Sequence, residues 1–190
     1  MDLILELYKI NRTVFTFREI SMLFPDISYP NLRRRLNYYY TKGDIIKLRK
    51  GIYAKEKFDP CEFAGKVYTP SYISFETVLF NEGIIFQKPE AIIVASYLTR
   101  FIKSENVSIQ YRKMKREVLY NMEDVIEKDG YFIASKERAF LDTVFLYKRY
   151  YFDNLRPLNW DRVFELSAIY GRKALDKMIK SYYKDLKNGI

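Results

Sequence analysis

The chain has 190 residues, with 33 lysines and arginines against 24 aspartates and glutamates, a surplus of +9, and it holds one cysteine and no histidine. That inventory removes Ser-His and Cys-His nucleophilic catalysis, every ordinary zinc site and any intrachain disulfide. Its 48% apolar and 17% aromatic content suits a packed core in one or two domains, while no apolar run approaches the roughly 20 residues that cross a bilayer. The expectation is a soluble cytoplasmic protein with no cofactor and no membrane partner. Asp2 and Glu6 also argue against secretion, because a signal peptide needs cations there.

Leu3, Leu5, Leu7, Tyr8 and Ile10 predict a first helix, followed by an extended link at Thr13-Val14-Phe15. Thr16 and Glu19 form a capping box, TFRE, that opens a second helix with Ile20, Leu23 and Phe24 on its core face. Pro25-Asp26 ends it. A third helix runs over 30–42, with Pro30 at its first position, Ser28 leading in and Gly43 as a left-handed cap. Leu32, Leu36, Tyr39 and Tyr40 recur at helical spacing and predict its buried stripe. Arg34, Asn37, Tyr38 and Thr41 point the opposite way, with Arg33 and Arg35 on the flanks. Ile45, Ile46 and Leu48 then read as a strand, Lys50-Gly51 as a turn and Ile52-Tyr53 as the returning strand.

Three helices followed by a basic hairpin predict a winged helix-turn-helix. Residues 31–51 carry seven cations (Arg33, Arg34, Arg35, Lys42, Lys47, Arg49, Lys50) and one anion (Asp44), a local +6. Positive charge concentrated on one helix and one hairpin suits double-stranded DNA, whose phosphates release condensed counterions when neutralised. The expected DNA-binding residues are Arg18, Asn31, Arg33, Arg34, Arg35, Asn37, Tyr38, Lys47, Arg49 and Lys50. Arg34 and Asn37 are expected at base edges, Arg33 and Arg35 at phosphates, and the hairpin cations at phosphate or the minor groove. Tyr40 is expected to pack.

Residues 55–62, KEKFDPCE, are charged and contain Pro60, which suggests a linker. Beyond it the pattern predicts a helix over 74–81, strands at 84–86, 91–95, 107–111 and 131–133, a helix after Ser135 that is apolar nearly all round, another from Asn159 to Tyr170, and a last one. In the last, Leu175, Met178, Ile179, Tyr182 and Leu186 form a stripe opposite five lysines. The expected fold is α+β: a winged helix-turn-helix over residues 1–56, a linker at 57–62, and a mixed α/β domain over 63–190 with a small sheet and terminal helices. Arg112, Lys113, Lys115 and Arg116 form a second basic cluster in an expected loop, open to nucleic acid, an acidic partner or solvent alone.

Three stretches resemble one family. They are the hairpin LRKGIYA at 48–54; YTPSYISFETVLFNEGII at 68–85 with AIIVASYLTR at 91–100; and DGYFIASKERAFLDTVFL at 129–146. Their order and spacing are similar to the AbiEi-type antitoxins of type IV toxin–antitoxin (abortive infection) systems over about residues 5–150. The sequence departs from the family's usual proline at Lys136. The resemblance implies a winged helix that binds inverted repeats in its own operator and represses its operon. It also implies a C-terminal domain that counteracts a cognate nucleotidyltransferase-like toxin, with no stable complex assumed. Glu76, Glu137, Arg138 and Asp142 carry the family look but have ordinary structural explanations in helix dipoles and an i, i+4 pair.

Two alternatives stand beside this reading. One is a winged-helix regulator that responds to a small ligand in the aromatic-rich second domain. The other is a metal-dependent nuclease, which requires an acid on one strand and acid-x-lysine on the next. Residues 91–97 carry no acid, the strand at 107–111 ends in Arg112-Lys113, and Glu123, Asp124, Glu127 and Lys128 fall in an expected loop. No catalytic activity is expected.

Overall fold

The computed structural model describes residues 3–188, so Asp2 lies outside the described residues. The chain begins α1 (Leu3–Lys9), β1 (Val14–Thr16), α2 (Phe17–Leu23), α3 (Tyr29–Lys42), β2 (Ile46–Arg49) and β3 (Ile52–Ala54). The three strands form an antiparallel sheet in the order β1-β3-β2. Val14 and Phe15, expected in a link, therefore belong to a paired strand. Thr16 and Glu19 close the capping box: the Glu19 amide donates to the Thr16 hydroxyl at 3.1 Å and the Thr16 amide to the Glu19 carboxylate at 2.7 Å. Leu32 and Leu36 are buried with Leu3, Leu7, Ile20 and Phe24, which holds α3 against α1 and α2.

Two expected core positions are corrected. Leu23 is exposed, because α2 ends there and Phe24 leaves the helix to fill the core in its place. Tyr40 is also exposed. At roughly 100° per residue it lies about 80° round from Leu32, off the edge of the stripe.

The rest of the chain comprises α4 (Pro60–Val67), β4 (Ser71–Ile73), α5 (Phe75–Asn81), β5 (Ile92–Ser96), β6 (Arg100–Ser104), β7 (Val107–Lys113), α6 (Arg116–Tyr120), β8 (Val125–Lys128), β9 (Tyr131–Ala134), α7 (Lys136–Tyr147), α8 (Trp160–Leu166), a 3-10 turn (Ser167–Tyr170) and α9 (Lys173–Lys187). Six strands pair in the order β6-β7-β5-β4-β9-β8, with β4–β9 and β5–β7 parallel and the remaining pairs antiparallel. The molecule is mixed α+β, with a larger sheet than the sequence suggests. Among the described residues no helix is long and apolar enough to cross a membrane.

Several expectations change here. Residues 57–62 do not form a simple linker: Asp59 caps α4 by accepting from the Cys61 amide at 2.7 Å, and Pro60 occupies the first turn. Residues 84–86 are not a strand. The Ile84 carbonyl instead accepts from the Asp153 and Asn154 amides, and the Asp153 carboxylate accepts from the Phe86 amide. Arg112 and Lys113 belong to β7 and Arg116 opens α6, so the second basic cluster is not a loop; Glu127 and Lys128 sit on β8. Helix α7 is buried almost throughout, as its all-round apolar character predicts.

The first sheet packs against a core on each face, with only Lys47 and Arg49 of its edge strand β2 exposed. Phe15 and Tyr53 join the core with α1–α3, whereas Val14, Leu48, Ile52 and Ala54 join the larger core. Glu62 closes this seam. Its buried carboxylate accepts from the Thr13 amide and hydroxyl and from the Val14 amide, each at 2.9 Å. Lys66, also on α4, reaches the Glu19 carboxylate at 2.5 Å. Gly65 lets α4 approach β9, since a Cβ there would stand 2.8 Å from the Tyr131 Cβ.

Glu62→Gln removes the charge from bonds of this kind, each of which contributes about 1.5–3 kcal/mol. It should lower unfolding free energy by about 2 kcal/mol in urea titration; an unchanged midpoint would show that the seam does not depend on the carboxylate. Glu19 supplies a pH test. Burial pushes its carboxyl up, but the Lys66 ammonium and the Thr16 amide and hydroxyl outweigh this and hold it below its ordinary 4.5. A depressed native value means that the stabilisation is present above pH 4.5 and is lost as pH falls through the native value. The melting temperature of the parent protein should therefore drop more between pH 6 and pH 3 than that of Glu19→Gln, while parallel profiles would contradict the assignment.

Candidate nucleic-acid interface

Helix α3 presents its polar face because Leu32 and Leu36 anchor the other one. Gly43, at φ +88°, ends the helix in the left-handed conformation that a Cβ would strain. Gly51, at φ +79°, turns the hairpin between β2 and β3, and its carbonyl accepts from the Phe17 amide at 2.8 Å. The hairpin tip is thereby tied to the start of α2, opposite the exposed face of α3.

Between them runs a groove of about 850 Å³. Arg33, Arg34 and Asn37 line it from α3, Lys47 and Lys50 from the hairpin, and Phe17, Pro30, Gly51 and Tyr53 complete it. No carboxylate lines the groove, and none of its four cations forms an ion pair among the described residues. The Arg33 guanidinium lies 5.7 Å from the centre of the Phe17 ring, and Tyr29 packs edge-on against Phe17 at 5.8 Å. Burial raises the Tyr53 phenol above its ordinary value, partly offset by the Arg33 charge. Arg34 donates to the Asn31 side-chain carbonyl at 2.6 Å, which orders the guanidinium beside the groove.

Of the ten residues expected to bind DNA, Arg33, Arg34, Asn37, Lys47 and Lys50 come together here. The other five do not line the groove. Asn31 supports Arg34, and Arg18, Arg35 and Tyr38 are exposed elsewhere on α2 and α3. Arg35 forms no ion pair among the described residues. Tyr38 stacks edge-on with Tyr39 at 5.5 Å. Arg49, after an irregularity in the β2–β3 register, lies towards the larger sheet, where its charge partly offsets the rise that burial and Tyr68 impose on the Tyr111 phenol. Phe17, Pro30, Gly51 and Tyr53 were not singled out as binding residues. They are ordinary cap, turn and core residues by local pattern, and only the fold brings them to one groove.

The hairpin is also braced from behind. The Ser104 hydroxyl, at the end of β6, donates to the Leu48 carbonyl at 2.6 Å. Cys61 is half-buried, and burial, with Asp59 nearby, pushes its thiol up to about 11, the opposite of an activated thiolate. Among the described residues no group of three or more carboxylate or cysteine side chains gathers as metal ligands do.

The residues with the family look build a second polar centre, inside the larger core. Arg138 and Asp142 are fully buried and 3.6 Å apart. The Arg138 guanidinium donates to the Val118, Asn121 and Glu123 carbonyls and to the Tyr72 hydroxyl. Asp142 accepts from Tyr170 at 2.7 Å, Ser74 at 2.8 Å and Tyr72 at 3.3 Å. Burial and the neighbouring Asp142 charge drive both phenols well above their ordinary range. Glu137 accepts from the Asn159 amide at 2.9 Å, linking α7 to the start of α8. Glu76 is half-buried near Tyr147. This network is enclosed and holds helices together; no part of it opens onto the groove.

Asp142→Asn leaves a buried guanidinium without its counter-charge, so it should cost about 3–5 kcal/mol in equilibrium unfolding. The double variant Arg138→Met/Asp142→Leu should recover part of that loss. A loss no smaller than for Asp142→Asn would mean that hydrogen bonding outweighs charge pairing here.

No protein-family model matches the chain, and no curated protein matches it.

Proposed function

We propose that the chain is a DNA-binding autorepressor and the antitoxin of a type IV toxin–antitoxin pair. One observation carries the DNA-binding half: Arg33, Arg34 and Asn37 face Lys47 and Lys50 across a groove that no carboxylate lines. The order α1-β1-α2-α3-β2-β3, with sheet order β1-β3-β2, supports reading residues 1–56 as a winged helix-turn-helix, α3 as the recognition helix and the β2–β3 turn as the wing. A major groove about 12 Å wide admits such a helix. On this reading Arg34 and Asn37 meet base edges, and Arg33, Lys47 and Lys50 meet phosphates. The partner is double-stranded DNA carrying inverted repeats upstream of the chain's own gene.

The antitoxin half rests on the three stretches that resemble AbiEi-type antitoxins. It assigns counteraction of a nucleotidyltransferase-like toxin to the region after the hairpin, without catalysis and in the cytoplasm. The buried Arg138–Asp142 centre supports a scaffold role for the most family-like helix.

Two substitutions separate reading from anchoring. Arg34→Ala should weaken binding to the upstream DNA by about 1–3 kcal/mol and relax preference at one base position. Lys50→Ala should weaken binding evenly across sequences and reduce the salt slope by about 1. In a reporter fused to the upstream region, Arg34→Ala should relieve repression while still rescuing cells from the adjacent toxin gene. Loss of rescue in folded Arg34→Ala protein would overturn the division of labour, and unaltered DNA binding in both variants would overturn the groove as the interface.

A further inference from the structure

A second cationic groove lies in the larger half of the molecule. It measures about 450 Å³ and is lined by Tyr97, Lys113, Arg116 and Tyr120, among others. Strands β5 and β7 are parallel neighbours and both end here, at Ser96 and Lys113. The space beyond the carboxyl ends of adjacent parallel strands is where α/β sheets collect ligands.

The groove combines two chemistries. Tyr97 and Tyr120 are large rings left 45% and 58% exposed. Lys113 and Arg116 are exposed cations without an ion pair among the described residues, and no carboxylate lines the groove. The Arg116 guanidinium lies 5.5 Å from the centre of the Tyr120 ring. Tyr97 is held edge-on by Tyr68 at 6.3 Å, and Tyr68 in turn by buried Tyr111 at 4.9 Å. The Met114 amide donates to the Ser96 carbonyl at 2.8 Å, which fixes the ends of β5 and β7 together. Ser71 and Ser96 face each other in register beside the groove residues Pro70 and Tyr97, and both hydroxyls are buried with no hydrogen-bond partner among the described residues. Tyr97 is thus positioned from the core rather than left loose, while Tyr120 lies beside the Arg116 guanidinium.

Cations alone would suit any acidic surface, and aromatic rings alone any apolar one. Both together fit a ligand that joins an anion to a flat π-system. We propose that this groove binds a nucleotide unit, with its phosphate on Lys113 and Arg116 and its base against Tyr97 or Tyr120. A free nucleotide and an unpaired stretch of nucleic acid present the same chemistry, and the test separates them. The site is independent of the groove between α3 and the hairpin.

The test uses the full chain at low ionic strength, with two anisotropy probes: N-methylanthraniloyl-ATP and a short fluorescein-labelled oligothymidylate. Binding of the first assigns the site to free nucleotides, and binding of the second alone assigns it to single strands. Lys113→Ala/Arg116→Ala should weaken whichever binds by about tenfold or more. Tyr97→Ala or Tyr120→Ala should also weaken it, and the corresponding Tyr→Phe variant should restore it, because a phenyl ring still stacks. Arg34→Ala/Lys50→Ala, which disables the other groove, should leave it unchanged. The proposal is overturned if neither probe binds, if only the Arg34/Lys50 variant loses binding, or if polyglutamate competes as well as the oligonucleotide. Melting curves confirm that each variant is folded.

Discussion

The three-stranded sheet packs against a core on each face, leaving only its β2 edge open to the groove, and the rest of the structure depends on that constraint. Alternation along β1 and β3 sends Phe15 and Tyr53 towards the first three helices and Val14, Ile52 and Ala54 towards the larger core. A two-stranded hairpin alone is marginal in water. Here it is set between two cores, with Glu62 satisfying the backbone of β1 and Ser104 bonded to the strand before the turn. The hairpin cations therefore stand at a defined distance from α3 before any ligand arrives. A groove that needs no reordering keeps more of its electrostatic gain as affinity.

Charge is divided in the same way as packing. The buried pair in α7 is neutralised and hydrogen-bonded through both guanidinium NH2 groups and both carboxylate oxygens, and Arg162 and Lys66 have carboxylate partners. By contrast Arg33, Arg34, Lys47 and Lys50 are open to solvent and have no such partner among the described residues. Cations inside the protein are matched to build it, and those in the groove remain available to a polyanion.

Much of the first fifty residues was legible in sequence because the signals there are local. A capping box, a proline at a helix start, a helical stripe and a glycine after a helix each act over a few residues, and Thr16, Pro30, Leu32, Leu36 and Gly43 behave as those rules require. Strands β4, β6 and β8 were not legible. Each is three to five residues long, and β6 and β8 are largely exposed edge strands, so neighbours rather than composition define them. The apolar run at 84–86 misleads for the converse reason, since its hydrogen bonds go to residues 153 and 154 instead of a strand. Helix α4 did carry a signal in Asp59, Pro60 and Glu62, masked by the charged residues before it. For the groove, the charges were legible but its apolar floor was not, because Phe17 and Tyr53 meet α3 only after the sheet has formed.

The most direct test of the central reading is fluorescence anisotropy of the full chain on DNA from upstream of its own gene and on a scrambled duplex of equal length, across a salt series. The account predicts tighter binding to the upstream duplex, with affinity falling steeply as salt rises, because several cations release counterions from phosphate together. Equal affinity for both duplexes, or no binding at low salt, would contradict it.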